Sequence, residues 1–103
     1  LVSDSVSWRT QSGSRPGVEI RDGAPRLSDG TLAGSCTPLS ECVQRVVREC
    51  GVSLESALAS ATSIPADLAG LADVGRIRTG QKADILALDS ELSVLKAWRR
   101  LPS

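Results

Sequence analysis

Asp4 is the first residue of this chain whose type and position could serve chemistry. It ends a short apolar run, residues 1–3, and a carboxylate at the end of a buried strand is a common site residue in barrel enzymes. Later in the chain comes a glycine-bearing segment, residues 29–35, in which the backbone could approach a ligand closely. The two features predict a site built from a carboxylate and a backbone loop at the carboxyl ends of barrel strands.

The sequence lacks the pattern of cysteine and histidine ligands that forms a zinc site. It contains no histidine, and its three cysteines have no Cys-X-X-Cys spacing that could form a zinc site. Cys42 and Cys50 share one face of a predicted helix and are expected to be ordinary core residues. The chain does not begin with Met. We therefore expect that only half of a site lies in this chain.

The composition argues against several classes of partner. Twelve basic and twelve acidic side chains cancel, and the longest basic run is Arg99 and Arg100, so no charged surface for nucleic acid or an anionic membrane is expected. No apolar stretch approaches about 18 residues, and the sequence shows no charged-then-apolar segment of the kind that forms a signal peptide, so neither a membrane span nor a signal peptide is expected. Together with reduced cysteines, this composition predicts a cytoplasmic protein with a small-molecule or protein partner.

The helical part of the chain is predicted from caps and periodicity. Thr37 and Pro38 suit the start of a first helix, and Gly51 suits its end. Ser53 is the predicted cap of a second helix, and Pro65 opens a short third one. The first helix has an apolar face with the i, i+3, i+4, i+7 spacing: Leu39, Cys42, Val43, Val46, Val47 and Cys50.

The remaining segments read as strands. Residues 18–20 are predicted to pair with residues 26–27 across an Asp22-Gly23 turn, while residues 12–17 should break any regular element. After Gly75 the pattern becomes extended, with residues 76–78 and 83–88, a turn at residues 89–91 and a returning strand at residues 93–98. The chain is therefore expected to run from strand and loop through three helices to a small antiparallel sheet.

Several stretches resemble the N-acetylglucosamine-6-phosphate deacetylases of the amidohydrolase superfamily. They are LVSD at residues 1–4, TLAGS at residues 31–35, SIPA and LAGL within residues 63–71, and GRIRTGQKADILALD at residues 75–89. The last stretch is shared by many amidohydrolases, whereas TLAGS after LVSD points to the deacetylase branch.

The resemblance implies an α/β fold, namely the C-terminal part of a TIM-like (β/α)8 metal-dependent hydrolase barrel plus C-terminal strands of a small β-sandwich domain. Residues 1–74 would supply the last barrel strand, the substrate loop and the closing helices, and residues 75–103 the sandwich strands. The full-length enzyme would be a homodimer that converts N-acetylglucosamine 6-phosphate to glucosamine 6-phosphate and acetate. This segment alone would be inactive.

The resemblance also assigns roles to residues. Asp4 matches the family's catalytic aspartate, which acts as general base and then as general acid. The backbone at Leu32, Ala33 and Gly34 would contact the amino-sugar phosphate, with Thr31 and Ser35 bracing the loop. A divalent metal, zinc by analogy, would be held by a glutamate and two histidines on earlier strands that this chain lacks.

Residues 5–9 depart from the small residues that the family has after the aspartate, and residues 96–103 lack the expected last strand with its glycine turn. Sugar selectivity is therefore left open. Two other interpretations remain. One is a different amidohydrolase, dihydroorotase-like or imidazolonepropionase-like. The other is a non-catalytic protein-interaction domain that uses the apolar face of the first helix, with Asp4 an ordinary turn residue and Gly34 a turn glycine.

Overall fold

The structure, a computed structural model, describes residues 1–7, 9–10, 13–14 and 16–99. Its elements in chain order are β1 (Arg9–Thr10), β2 (Gly13–Ser14), β3 (Val18–Arg21), β4 (Ala24–Leu27), α1 (Leu39–Arg48), α2 (Leu54–Ala61), α3 (Ser63–Leu68), β5 (Ile85–Leu88) and β6 (Val94–Trp98). The chain divides into two compact units, Val2–Pro38 and Leu39–Ser103 together with Leu1. The predicted division into residues 1–74 and 75–103 concerns a barrel and a sandwich domain and stays a prediction.

The first unit is built around the β3–β4 hairpin, which the sequence predicted. Arg21 pairs with Ala24, and the two residues between them, Asp22 and Gly23, have φ values of 53° and 73°. Positive φ at both positions is typical of a type I′ turn, whose twist matches that of paired strands. Pro25 lies in β4 and is fully buried. The hairpin therefore fixes the backbone from which the glycine-bearing loop departs.

Two strand predictions in this unit were wrong. Residues 1–4 form no strand, and the structure gives this region only a single parallel bridge between Ser5 and Ser35. A strand needs a neighbour along its length, and among the described residues this segment has one only at its end. Conversely, β1 and β2 pair antiparallel where the sequence predicted a break. Trp8 and residues 100–103, which belong to the departures from the family pattern noted in the sequence, lie outside the described residues.

The three helices of the second unit agree with the sequence prediction. Ser53 caps α2, because its Oγ accepts a hydrogen bond from the Ser56 N–H at 3.2 Å. Helix α3 begins at Ser63, two residues before Pro65, which therefore lies in the first turn where a missing N–H costs little. Among the described residues, no helix has both the length and the apolar content needed to cross a membrane.

The core of the second unit is small. Its buried apolar side chains are Val43 of α1, Ala57 of α2 and Ala66 of α3. The prediction that Cys50 is a core residue was wrong, since Cys50 is exposed. Helix α1 ends at Arg48, so Cys50 lies in the following turn and no longer on the apolar helix face. Cys42, inside the helix, is half-buried as its position on that face requires.

The β5–β6 hairpin is antiparallel, with Ile85 opposite Trp98. Its turn forms as predicted, because one oxygen of the Asp89 carboxylate accepts hydrogen bonds from the N–H groups of Glu91 and Ser93 at 2.9 and 2.8 Å. Helix α1 holds this turn from outside: Gln44 donates to the Leu92 carbonyl at 2.9 Å. Polar contacts thus join the helical part of this unit to its sheet.

The predicted strand at residues 76–78 is absent, and Ile77 is 81% exposed. Gly75, at φ 84°, turns the chain beside α3, and Arg76 then binds Asp67 instead of entering a sheet. Arg76 donates to both carboxylate oxygens of Asp67, at 2.8 and 2.6 Å, in the bidentate arrangement that arginine favours. This pair ties the segment after Gly75 to the last helix.

Gly75 is required by both its backbone and its surroundings. A Cβ at this position would lie 2.8 Å from the Ala66 Cβ and 2.9 Å from the Thr62 carbonyl oxygen, whereas a Cβ at Gly80 would meet nothing within 4 Å. Both glycines have positive φ, so an alanine at either is strained by about 1–2 kcal/mol. We expect Gly75→Ala to reduce the free energy of unfolding in urea by about 1–3 kcal/mol more than Gly80→Ala, through overpacking. Equal losses would contradict this packing.

The Asp67–Arg76 pair should make stability depend on acid pH. Hydrogen bonding from Arg76 lowers the pKa of the Asp67 carboxyl below its ordinary value of 3.8. A group with a lowered pKa stabilises the fold above the pKa of the unfolded chain and loses this effect as pH falls through the folded-state pKa. A double-mutant cycle of Asp67→Asn and Arg76→Gln should therefore show coupling at neutral pH that declines below about pH 4. Coupling independent of pH would contradict the ion pair.

Candidate functional site

Asp4 is held in an uncommon backbone conformation. Its φ is 52°, in the left-handed region, where aspartate is tolerated better than most residues because its short polar side chain can bond locally. The residue is exposed. A conformation of this kind persists only where the surrounding structure holds it, so the contacts around Asp4 determine where its carboxylate lies.

Those contacts come from the end of the glycine-bearing loop. The Ser35 N–H donates to the Asp4 carbonyl at 2.7 Å, and the Val6 N–H donates to the Ser35 carbonyl at 2.9 Å. The two bonds form the parallel bridge between Ser5 and Ser35. Residues distant in sequence are thereby brought side by side, as the ordered pair of motifs at residues 1–4 and 31–35 predicted.

Gly34 makes this close approach possible. Its φ is 134°, and a Cβ at this position would lie 2.7 Å from both the Asp4 carbonyl oxygen and the Val6 Cγ1, distances that a carbon atom cannot accept. The same Cβ position lies 3.6 Å from Oδ2 of Asp4. The Asp4 side chain therefore lies next to the glycine-bearing loop. Two of the predicted site residues, Asp4 and Gly34, are neighbours in the structure.

The other predicted loop residues lie on the approach to Gly34. The Ala33 N–H donates to the Pro25 carbonyl at 2.9 Å, so a substrate contact by Ala33 would have to use another of its atoms. Leu32 forms a bridge with Arg26 and is 58% exposed. The loop is thus attached to β4, and its residues 32–34 follow a fixed course toward Asp4.

The start of the loop is fixed by Asp29. Its carboxylate accepts a hydrogen bond from the Thr31 N–H at 2.9 Å, and this bond, followed by one from the Thr31 hydroxyl, lowers the pKa of the Asp29 carboxyl. Arg26 donates to the Gly30 carbonyl at 3.1 Å. These contacts are local, so Asp29 shapes the start of the loop.

The contacts of Ser35 were only partly anticipated from the sequence. Ser35 was expected to brace the loop, and its hydroxyl also bonds to the segment before Asp4, donating to the Ser3 carbonyl at 2.6 Å. The only sequence signal for it is a hydroxyl residue directly after Gly34. Its target could not be deduced, because pairing between these segments is a long-range feature.

The described residues do not fit a metal ion. None of them form a group of three or more His, Cys, Asp or Glu side chains that could ligate one, and the whole sequence has no histidine. Catalytic zinc sites in proteins use three side-chain ligands of these kinds. The part of the site that the structure describes therefore comprises a carboxylate, a backbone loop and the hydroxyl of Ser35.

Comparison with known proteins identifies the relatives of this chain. Residues 21–102 match the model of the amidohydrolase family. The chain is 34% identical over 82 residues to N-acetylgalactosamine-6-phosphate deacetylase of Escherichia coli O157:H7, a match that covers 79% of this chain and 22% of the relative. It is 42% identical over 65 residues to N-acetylglucosamine-6-phosphate deacetylase of Homo sapiens, covering 62% of this chain and 16% of the relative.

Solved structures give the same result. N-acetylglucosamine-6-phosphate deacetylase from Thermotoga maritima is similar with a TM-score of 0.77 and 33% identity, over 95% of this chain and 28% of that one. The enzyme of the same name from Pasteurella multocida gives a TM-score of 0.73 and 31% identity, over 80% of this chain and 22% of that one. The chain spans between 16% and 49% of the length of the curated relatives that it matches.

Gly34 and Gly30 form a matched pair for testing the site geometry. Both have positive φ, but a Cβ at Gly30 would meet nothing within 4 Å. We expect Gly34→Ala to lower the free energy of unfolding by about 1–3 kcal/mol more than Gly30→Ala, because only the former pushes the loop away from Asp4. Urea denaturation measures the difference. If Gly34→Ala were the milder change, the loop would not lie against Asp4.

Proposed function

Because this chain belongs to the amidohydrolase family, we propose that it is part of a metal-dependent enzyme that deacetylates N-acetylglucosamine 6-phosphate to glucosamine 6-phosphate and acetate. The observation that carries the proposal is the contact between Asp4 and the loop at Gly34 and Ser35. The deacetylases named above support it through sequence identity and fold.

Asp4 is the proposed proton carrier. Its carboxylate accepts a proton as the oxygen of water attacks the carbonyl carbon of the acetamide group. When the carbon–nitrogen bond breaks, the same carboxyl group delivers that proton to the departing amine, so acetate and the amino sugar leave together. One group can perform both steps only if it stays beside the reacting atoms, and the bonds from Ser35 and the approach of Gly34 supply that restraint.

The loop at Leu32, Ala33 and Gly34 is the proposed contact surface for the amino-sugar phosphate. Its course is fixed by the bond from Ala33 to the Pro25 carbonyl, so the backbone needs no reordering when substrate arrives. Gly34 presents backbone without a side chain next to the Asp4 carboxylate. A substrate held against this loop would place its acetamide group beside Asp4.

Enzymes of this family are generally metal-dependent, and the described residues of this chain do not fit the ion. We propose that a divalent metal, zinc by analogy with the deacetylases, is held by residues outside this chain. We also propose that residues 1–74 complete a (β/α)8 barrel, that residues 75–103 join a small β-sandwich domain, and that the whole enzyme is a cytoplasmic homodimer.

N-acetylgalactosamine 6-phosphate is the second candidate substrate. It is favoured by the 34% identity over 82 residues to the Escherichia coli enzyme named for that sugar, which matches a longer part of this chain than the human enzyme does. The two sugars differ only at the hydroxyl of carbon 4, so the same carboxylate chemistry applies to both. Hydrolysis of a cyclic amide instead would favour a dihydroorotase-like or imidazolonepropionase-like enzyme.

Asp4→Asn is the direct test, with Asp22→Asn as its control. The two aspartates have φ values of 52° and 53°, so the same chemical change is made at nearly the same φ. The assay uses an assembled enzyme, in which this chain replaces the segment that it matches in the Thermotoga maritima deacetylase. We expect Asp4→Asn to lower kcat for acetate release about 10²- to 10⁴-fold, because an amide cannot carry the proton.

Asp22→Asn should stay within about twofold of the unmodified enzyme, since asparagine suits a type I′ turn. Both sugar phosphates are assayed in parallel, and the higher kcat/KM identifies the substrate. Equal rates for the unmodified and Asp4→Asn enzymes would remove Asp4 from catalysis. A folded, metal-loaded enzyme that releases acetate from neither sugar would favour the interaction-domain alternative.

A further inference from the structure

We propose that Ser35 is the positioning residue for Asp4, fixing the backbone on both sides of the proposed proton carrier. This inference rests on the function proposed above and extends it to a residue that does not touch substrate. The Ser35 hydroxyl donates to the Ser3 carbonyl at 2.6 Å, and the Ser35 N–H donates to the Asp4 carbonyl at 2.7 Å.

The two acceptor carbonyls belong to the two peptide groups that flank Asp4. The Ser3 carbonyl lies in the peptide plane before Asp4, whose rotation is measured by φ, and the Asp4 carbonyl lies in the plane after it, whose rotation is measured by ψ. Since each residue has only these two soft backbone angles, one residue that binds both carbonyls fixes the backbone of Asp4 and with it the direction of the Cα–Cβ bond from which the carboxylate extends. The left-handed φ of 52° is the conformation that needs such a restraint.

Ser35 is itself well held. Its carbonyl accepts from the Val6 N–H at 2.9 Å, and its hydroxyl oxygen accepts from the Thr37 N–H at 3.2 Å while donating to Ser3. The side chain is half-buried, so these bonds are partly shielded from water. A hydroxyl with both a donor and an acceptor partner has one preferred orientation, which makes it a better restraint than a side chain that turns freely.

A serine at this position could have two roles, which differ in their effects on kcat and KM. If Ser35 only braced the loop at residues 32–34, its loss would weaken substrate binding and raise KM. If it positions Asp4, its loss misplaces a group that acts in the chemical step, so kcat falls while KM is unchanged. The hydrogen bonds of the Ser35 hydroxyl favour the second role, because its partners are the Ser3 carbonyl and the Thr37 N–H and not the loop at residues 32–34.

The test measures kcat and KM for acetate release by three Ser35 variants in the assembled enzyme. Ser35→Ala removes the hydroxyl, Ser35→Cys replaces it with a thiol of similar shape that is a weak donor, and Ser35→Thr retains it. We expect Ser35→Ala and Ser35→Cys to lower kcat about 10- to 100-fold with KM within about twofold, since small misplacements of a reacting group cost rates of this order. Ser35→Thr should keep kcat within about threefold of the unmodified enzyme.

Ser60→Ala is the matched control, because the Ser60 hydroxyl also donates to a backbone carbonyl, that of Ala57, at 2.7 Å but within α2. It should leave both kinetic constants unchanged. A raised KM at normal kcat for Ser35→Cys, or full activity of this variant, overturns the positioning role even if Ser35→Ala does not fold. The Asp4→Asn result is read separately: loss of activity there with a fully active Ser35→Cys overturns only this inference, whereas an active Asp4→Asn overturns the proposed function.

Discussion

The site depends on one close contact, the approach of the loop backbone at Gly34 and Ser35 to the backbone of Asp4. Without a Cβ at Gly34, the Ser35 N–H reaches the Asp4 carbonyl at 2.7 Å, and the left-handed conformation of Asp4 is then held in place. A carboxylate that must accept a proton and return it needs a fixed position more than it needs burial. The exposed position of Asp4 is compatible with that requirement because the restraint acts on its backbone.

Other contacts in the first unit hold the loop in the position from which it approaches Asp4. The β3–β4 hairpin closes through a two-residue turn, and Pro25 in its second strand accepts the Ala33 N–H, so the loop leaves the hairpin in a defined direction. In the second unit the buried core is made of small or β-branched side chains on the three helices. Polar contacts also join the helices of this unit to the segments that follow them. The bidentate Asp67–Arg76 pair and the bond from Gln44 to the β5–β6 turn are examples.

Local signals in the sequence predicted the local structure. The Asp22-Gly23 turn, the Ser53 cap and the Asp89 turn each involve residues that lie close together in the chain, and each forms as expected. Failures arose where structure depends on distant partners or on exact helix ends. Residues 1–4 lack a strand neighbour along their length. In the segment at residues 76–78, Arg76 binds Asp67. Cys50 lies just past the end of α1. The expectation that Asp4 and Gly34 share one site came from the carboxylate and the glycine-bearing segment together with the family resemblance. The bond from Ser35 to Ser3 joins distant segments and required the structure.

A crystal structure of the assembled enzyme with N-acetylglucosamine 6-phosphate bound is the most direct test of the central claim. If Asp4 carries the proton, one of its carboxylate oxygens lies within about 2.6–3.2 Å of the scissile amide nitrogen or of a water molecule beside the acetyl carbon. Ser35 should still bond to the carbonyls of Ser3 and Asp4. An acetamide group bound away from Asp4, with another side chain in hydrogen-bond reach of its nitrogen, would contradict the role of Asp4 as proton carrier.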